Sequence, residues 1–100
     1  MFVAIHHTIT DQVKWDEIGS QLTALIEADK LPRGIKPLFY LPSTDGRRAD
    51  CVWETDSVET LKEFLTPYST GASMDEYFQV NTELAMGIPA HAPDRLLVHH

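Results

Sequence analysis

Two kinds of hydrophobic pattern alternate along this chain, and their order is the feature that most constrains its fold. Four segments are rich in β-branched and aromatic residues, as strands are, whereas two segments place apolar residues at helical spacing. The order is β-α-β-β-α-β, which is the split βαβ arrangement of ferredoxin-like folds. The sequence therefore predicts a ferredoxin-like α+β sandwich, with one antiparallel four-stranded sheet and both helices on one of its faces.

The limits of these segments follow from residues that begin or interrupt regular structure. The predicted strands cover residues 1–9, 35–41, 48–54 and 74–80. Between the second and third strands, Asp45-Gly46 predicts a hairpin turn. Residues 1–80 are expected to form the domain, and residues 81–100 a C-terminal extension that packs on the domain or on a partner subunit.

Each predicted helix has one apolar stripe. The first helix spans roughly residues 11–29, and its stripe consists of Ile18, Leu22, Leu25 and Ile26. The second helix begins after Ser57, whose hydroxyl suits an N-cap, and it ends at Pro67 and the segment 69–73. Its stripe consists of Val58, Leu61, Phe64 and Leu65. Both stripes are expected to pack on the sheet.

Right-handed crossovers place the first and third strands in the middle of the sheet and the second strand at an edge. Pro37 suits an edge strand because proline has no N–H group for a neighbouring strand. The first strand is apolar on both sides, since Phe2 and Ala4 alternate with Val3 and Ile5, which predicts burial on both faces. Two helices cover only one face, so we expect the other face to pair with a second copy in a homodimer.

The composition narrows the class of partner. The chain has 100 residues and a formal net charge of −7, and such an acidic balance disfavours nucleic acid and anionic membranes. No apolar run approaches the ~20 residues of a membrane-spanning helix, and no basic segment precedes the apolar N-terminus as in a signal peptide. The single cysteine excludes an intramolecular disulfide. We expect a cytoplasmic protein that binds neither nucleic acid nor membrane.

Four short segments carry a resemblance to a known superfamily. They are Phe39-Tyr40-Leu41, Asp45-Gly46, Cys51-Val52-Trp53-Glu54 and Glu76-Tyr77-Phe78. With the element order over residues 1–80, they resemble the dimeric α/β-barrel superfamily, near small uncharacterised members that have a nickel-binding relative. Other members include cofactor-free quinone-forming monooxygenases, haem-degrading enzymes and lactone isomerases, so the fold does not supply the function. The resemblance implies a homodimer with a pocket inside each subunit, between sheet and helices.

His6 and His7 are the most suggestive candidates for chemistry. Adjacent strand residues point to opposite faces, so the two rings cannot chelate one ion from a regular strand. If Val3, Ile5 and His7 face the helices, His7 lines the pocket and His6 meets the partner sheet. His7 is then a candidate general base. The alternative is a half-buried histidine that a backbone carbonyl or water satisfies.

Further side chains complete a predicted small-molecule site. Cys51 and Trp53 share one face of the third strand and form its floor and apolar wall, Tyr77 orients a substrate, and Tyr40 lies at an edge. Cofactor-free oxygenation or isomerisation of an aromatic or keto substrate fits this set best, with His7 as the base. The alternatives are core positions for Cys51 and Trp53 and a rim position for Tyr77.

Two other functions stay open. A metal-binding module, for nickel as an example, would combine His6 or His7 with ligands from Asp50, Glu54, Glu76 and His91. No HExxH, EF-hand, GxGxxG or P-loop spacing is present, so the leading prediction includes neither a metal nor a cofactor, and metal binding stays an alternative. Asp75, after a Ser/Gly loop, is interpreted as an exposed loop end. The other open hypothesis is a structural homodimer without catalysis.

Overall fold

The computed structural model describes residues 1–92 and confirms the ferredoxin-like α+β fold. Its elements in chain order are β1 (Phe2–Ile9), α1 (Gln12–Glu27), β2 (Lys36–Pro42), β3 (Arg48–Glu54), α2 (Val58–Ser69) and β4 (Ser73–Gln79). The strands form one antiparallel sheet in the order β2-β3-β1-β4. The central positions of β1 and β3 and the edge position of β2 are therefore as predicted.

The core lies between the helices and one face of the sheet. The strand register pairs Val3 with Trp53 and Ile5 with Cys51, so these four side chains share that face. Val3, Ile5 and Trp53 are buried and pack with Ile35, Leu61 and Leu65. Leu61 and Leu65 belong to the stripe predicted for the second helix, so α2 covers this part of the sheet as expected.

The helix α1 is less deeply packed than α2. It begins after Asp11, whose carboxylate accepts a hydrogen bond from the Lys14 backbone N–H over 3.1 Å. Within its predicted stripe, Ile18 is buried, but the others are only half-buried: Leu22, Leu25 and Ile26. Such incomplete cover indicates free volume between α1 and the sheet.

The ends of α2 follow the predicted signals with one difference. Ser57 is the N-cap, and its hydroxyl accepts a hydrogen bond from the Thr60 backbone N–H over 3.0 Å. Pro67 lies inside the last turn, and the helix continues to Ser69. A proline removes one N–H donor, and so close to a helix end the remaining turn can still form. The helix then ends within the segment 69–73.

The turn between β2 and β3 confirms the predicted hairpin. Gly46 has a φ of +74°, in the left-handed region that glycine adopts without steric cost. The Asp45 carboxylate accepts hydrogen bonds from the Ser43 hydroxyl at 2.7 Å and the Arg47 backbone N–H at 3.0 Å. These bonds close the turn that brings β3 back beside the edge strand.

The second face of the sheet is largely open in this chain. Exposed apolar side chains lie on this face at Phe39, Leu41, Met74 and Phe78. Phe2 is buried on the same face, whereas Ala4 and His6 are half-buried and Thr8 is exposed. Within one chain, β1 is therefore buried on both faces at its Phe2 end only, and cover of the rest of this face by a second copy stays a prediction.

The segment after β4 returns to the Phe2 end of the sheet. Residues 88–91 line a surface pocket together with Met1 and Phe2. The Glu54 carboxylate accepts hydrogen bonds from His91 Nδ1 and the Ala92 backbone N–H, each over 2.9 Å. The remainder of the predicted extension, residues 93–100, lies outside the described residues. Among residues 1–92, no helix has both the length and the apolar character needed to cross a membrane.

Candidate functional site

A cavity of about 320 Å³ occupies the space between the helices and the covered face of the sheet. Its walls are almost entirely apolar and include Ile18, Leu22 and Ile26 of α1 and Leu65 of α2. The half-buried stripe of α1 is thus the roof of this cavity. The volume lies at the lower end of the range for small-molecule sites, about 300–1,000 Å³.

His7 brings a polar group to the cavity wall. The antiparallel register sets His7 of β1 opposite Asp75 of β4, and His7 Nδ1 donates a hydrogen bond to Asp75 Oδ1 over 2.7 Å. The Ser73 hydroxyl donates to the same oxygen, also over 2.7 Å. The His7 and Asp75 side chains are only 6% and 8% exposed. A neutral imidazole that donates through Nδ1 presents Nε2 as an acceptor.

The Asp75 carboxyl is held in its charged form inside this site. Burial opposes ionisation, but hydrogen bonds from His7 and Ser73 outweigh it and keep the pKa of the carboxyl below its usual range. An ionised partner at Nδ1 fixes the tautomer of His7 and stabilises the imidazolium that forms when Nε2 takes up a proton.

Cys51 lies on the other side of the His7 ring. Its Sγ is 3.1 Å from His7 Nε2. Burial raises the pKa of the Cys51 thiol to about 12, so the sulfur carries its proton and acts as a weak donor to Nε2. Cys51, His7 and Asp75 therefore form a hydrogen-bonded chain, and all three line the cavity.

Aromatic side chains form flat parts of the cavity wall. The Trp15 and His7 ring centroids are 4.8 Å apart with the planes tilted by 56°. Trp15 Nε1 donates to the Tyr40 hydroxyl over 3.3 Å, which joins α1 to the edge strand β2. Trp53 forms part of the opposite wall, and its ring meets Phe64 edge-on with centroids 6.5 Å apart. These surfaces suit a planar ligand.

Tyr77 shares the covered face of the sheet, where the register sets it opposite Ile5. It is not among the described residues that line the cavity. Its ring lies under Lys62, whose Nζ is 5.3 Å from the centroid, and its hydroxyl is buried without a hydrogen-bond partner in residues 1–92. Burial, together with the charge on Asp75, raises the pKa of Tyr77 to about 12.

The structure thus places four of the predicted site residues around one cavity, and their binding or catalytic roles stay predictions. These residues are His7, Tyr40, Cys51 and Trp53. The interpretation of Asp75 as an exposed loop end is wrong, because β4 begins at Ser73 and the carboxylate points at His7. Asp75 precedes Tyr77 by two positions, which puts both side chains on the same face of β4. This spacing was the available signal that Asp75 faces the helices.

Trp15 is the second residue that sequence reasoning passed over. It precedes Ile18 by three positions and Leu22 by seven, so the three side chains share one face of α1. The predicted stripe began at Ile18 and left Trp15 outside. The structure places Trp15 against His7 on the cavity wall.

The remaining metal-ligand candidates do not line the cavity, and four of them form two separate pairs. His6 Nδ1 donates to Asp50 Oδ1 over 2.6 Å on the open face, where the side chains are 39% and 58% exposed. His91 pairs with Glu54. Within residues 1–92, no three His, Cys, Asp or Glu side chains converge as metal ligands.

Comparison with protein-family models finds no match for this chain, and comparison with curated proteins finds none either.

Proposed function

We propose that this protein binds a small, planar, mostly apolar molecule in the cavity and that His7 removes a proton from it. The observation that carries the proposal is the His7–Asp75 pair, buried at the wall of an apolar cavity of about 320 Å³. The reaction class is isomerisation or cofactor-free oxygenation of an aromatic or keto compound. Both reactions begin with removal of a proton from a hydroxyl or from a carbon next to a carbonyl.

The proton transfer uses the nitrogen of His7 that Asp75 leaves available. Nε2 is oriented by the bond between Nδ1 and the Asp75 carboxylate. Its present contact is the Cys51 thiol, a weak donor that a substrate hydroxyl or carbonyl-activated C–H can displace at low cost. As Nε2 takes the proton, positive charge develops on the ring, and the adjacent carboxylate stabilises it.

The lining of the cavity selects the substrate class. Asp75 is the lone acidic group among the described lining residues, and no lysine or arginine lines the cavity there. Its charge is already paired with His7 and Ser73. A charged ligand therefore meets desolvation without compensation. A neutral planar ring gains contacts with Trp15 and Trp53 instead.

Deuterium exchange into β-tetralone, an apolar bicyclic ketone with weakly acidic C–H bonds, tests this proposal. The wild-type protein in D₂O is expected to exchange the protons beside the carbonyl faster than buffer does, as followed by NMR. General bases contribute about 10²–10⁴-fold to such steps, so His7→Gln is expected to lower the protein-dependent rate by about 100-fold or more.

The matched control is His6→Gln, which changes the neighbouring residue of the same strand on the opposite face. Its exchange rate is expected to equal that of the wild type. Equal rates for His7→Gln and the wild type, in folded proteins, would overturn the assignment of His7 as the base.

The open sheet face supports a second part of the proposal, a face-to-face homodimer. Phe39, Leu41, Met74 and Phe78 expose apolar side chains on one surface, and exposed apolar patches favour association. A second copy of the chain presents the same patch, so a twofold axis covers both at once. The cavity lies between the helices and the other face of the sheet, so pairing through the open face does not occupy it.

A further inference from the structure

We infer that Cys51 is a nucleophile for covalent capture of α,β-unsaturated carbonyl compounds that enter the cavity, with His7 as the base that takes its proton. This reaction uses the cavity of the proposed function but a different bond-forming atom. It rests on three observations at the cavity wall, and not on the cysteine alone.

The first observation is the contact between the Cys51 sulfur and His7, the base. Cys51 Sγ lies 3.1 Å from His7 Nε2, and His7 Nδ1 lies 2.7 Å from Asp75 Oδ1. A nucleophile, a base in hydrogen-bond reach and a carboxylate that orients the base form the arrangement by which cysteine and serine enzymes activate their nucleophiles. Here β3, β1 and β4 each supply one member, so adjacent strands of one rigid sheet hold all three.

The second observation concerns the pKa of the Cys51 thiol. Burial of Cys51 opposes the thiolate, whereas the neighbouring Trp53 side chain favours it. Burial is the larger of the two effects and raises the pKa of Cys51 to about 12. The thiol is therefore inert until a bound electrophile accepts the electron pair of sulfur while His7 accepts the proton.

The third observation is that the reactive groups border the cavity. Cys51 and His7 both line the apolar cavity, and so do the rings of Trp15 and Trp53. An apolar conjugated enone fits these walls, because it is planar and neutral. Soft, uncharged electrophiles thus reach the sulfur, whereas anionic alkylating agents pay the cost of desolvation.

The addition is balanced without any further reactant. The S–H proton moves to His7 Nε2 as sulfur forms a bond to the β-carbon of the enone. The π electrons of the C=C bond move onto the carbonyl as an enolate. The imidazolium, stabilised by Asp75, then returns the proton to the α-carbon. The product is a saturated thioether on Cys51, and no oxidant or reductant is consumed.

N-phenylmaleimide, a neutral electrophile of this class whose reactive imide ring is planar, tests the inference by intact-protein mass spectrometry. Cys51 is the single cysteine of the chain, so one adduct identifies the site. The wild-type rate is expected to saturate with reagent concentration, which indicates binding before reaction. Cys51→Ser is expected to give no adduct, and iodoacetate is expected to react more slowly than N-phenylmaleimide by a larger factor than with free cysteine.

The role of the base is read from the rate at saturation. His7→Gln is expected to lower that rate by about 100-fold, and Asp75→Asn provides a second variant that alters the orientation of the base without removing it. His6→Gln, on the opposite face, is expected to react as the wild type does. A rate that is linear in reagent and unchanged by His7→Gln and Asp75→Asn would overturn the inference.

N-phenylsuccinimide, the saturated analogue that cannot react, separates this inference from the proposed function. Its binding is followed by tryptophan fluorescence, since Trp15 and Trp53 line the cavity. Binding of the analogue without an adduct from N-phenylmaleimide overturns the covalent role of Cys51 and leaves the ligand cavity supported. Absence of both binding and reaction contradicts both proposals.

Discussion

Two histidine–aspartate pairs involve neighbouring residues of β1, but the pairs lie on opposite faces of the sheet. His6 bonds Asp50 over 2.6 Å, and His7 bonds Asp75 over 2.7 Å, in each case through Nδ1 and Oδ1. The bonds are alike, but the surroundings are not. The first pair is 39% and 58% exposed, and the second only 6% and 8%. Burial is the main difference between the two pairs.

Burial gives the inner pair, His7 and Asp75, the properties of a reactive site. Water competes for the exposed pair and screens its charges, so the bond contributes little to stability or reactivity. In the inner pair the carboxylate is desolvated, and its ionisation depends on His7 and Ser73. Within residues 1–92, the hydrogen-bond partner of His7 Nε2 is the Cys51 thiol, and the ring lines the apolar cavity. A base that is shielded from water and held by one carboxylate is preorganised for proton transfer.

The largest expected effect comes from removing each carboxylate in turn. Asp75→Ala leaves the Nδ1–H of His7 buried without its acceptor, which costs about 2 kcal/mol of the free energy of unfolding. Asp50→Ala exposes its partner to water and is expected to cost less than about 1 kcal/mol. Urea unfolding of both variants measures the difference. Equal losses would show that burial does not separate the two pairs.

A charge placed on the open face is expected to act on association alone. Phe78→Glu puts a carboxylate into the proposed dimer contact, where it would be desolvated without a partner. We expect at least a tenfold rise in the dimer dissociation constant, or about 1.4 kcal/mol, by analytical ultracentrifugation. Deuterium exchange of β-tetralone should persist in the resulting monomer. A wild-type protein that is monomeric at high concentration contradicts the homodimer.

The pH dependence of stability is expected to report the inner pair. The pKa of Asp75 is lower in the folded protein than the unfolded value of about 3.9. The unfolded chain therefore binds more protons as the pH falls, so this stabilisation is complete above the unfolded pKa and is lost as the pH drops through the folded one. Asp75→Asn should flatten the loss of stability between pH 5 and pH 3, and Asp50→Asn should retain it. The reverse order would contradict the assignment.

The smallest effect concerns the bond that ties α1 to β2 over the inner site. Trp15→Phe keeps a ring against His7 but removes the N–H that donates to Tyr40. We expect a loss of about 0.5–1 kcal/mol in stability, the contribution of one partly exposed hydrogen bond. Binding of N-phenylsuccinimide should weaken only a few fold. A loss of all binding would show that the indole N–H itself orients the ligand.

The fold was predictable from sequence because its signals are local and agree with each other. The alternation of Val3, Ile5 and His7, the caps at Asp11 and Ser57 and the Asp45-Gly46 turn each specify one element. Handedness then fixes the strand order. The placement of His7 on the covered face follows from the same alternation. The homodimer is a further prediction from the composition of the open face.

The site was predictable only in part because it depends on register between distant strands. Asp75 and His7 are separated by 68 positions in sequence, and their contact follows from the pairing of β1 with β4. Sequence pattern alone fixes which residues share a face, but not which carboxylate lies opposite which ring. The cavity itself lies beneath the half-buried stripe of α1. An apolar stripe looks the same in sequence whether it packs tightly or roofs a cavity.

The tautomer of His7 is the most direct measure of whether burial makes the inner pair a base. Long-range ¹⁵N–¹H NMR spectra at pH 8, assigned with His7→Gln and His6→Gln, distinguish the protonated ring nitrogen of each histidine. We expect His7 to hold its proton on Nδ1 alone, with Nε2 unprotonated, and His6 to show an average of both tautomers. A proton on Nε2 of His7, or the same average in both rings, would contradict the account.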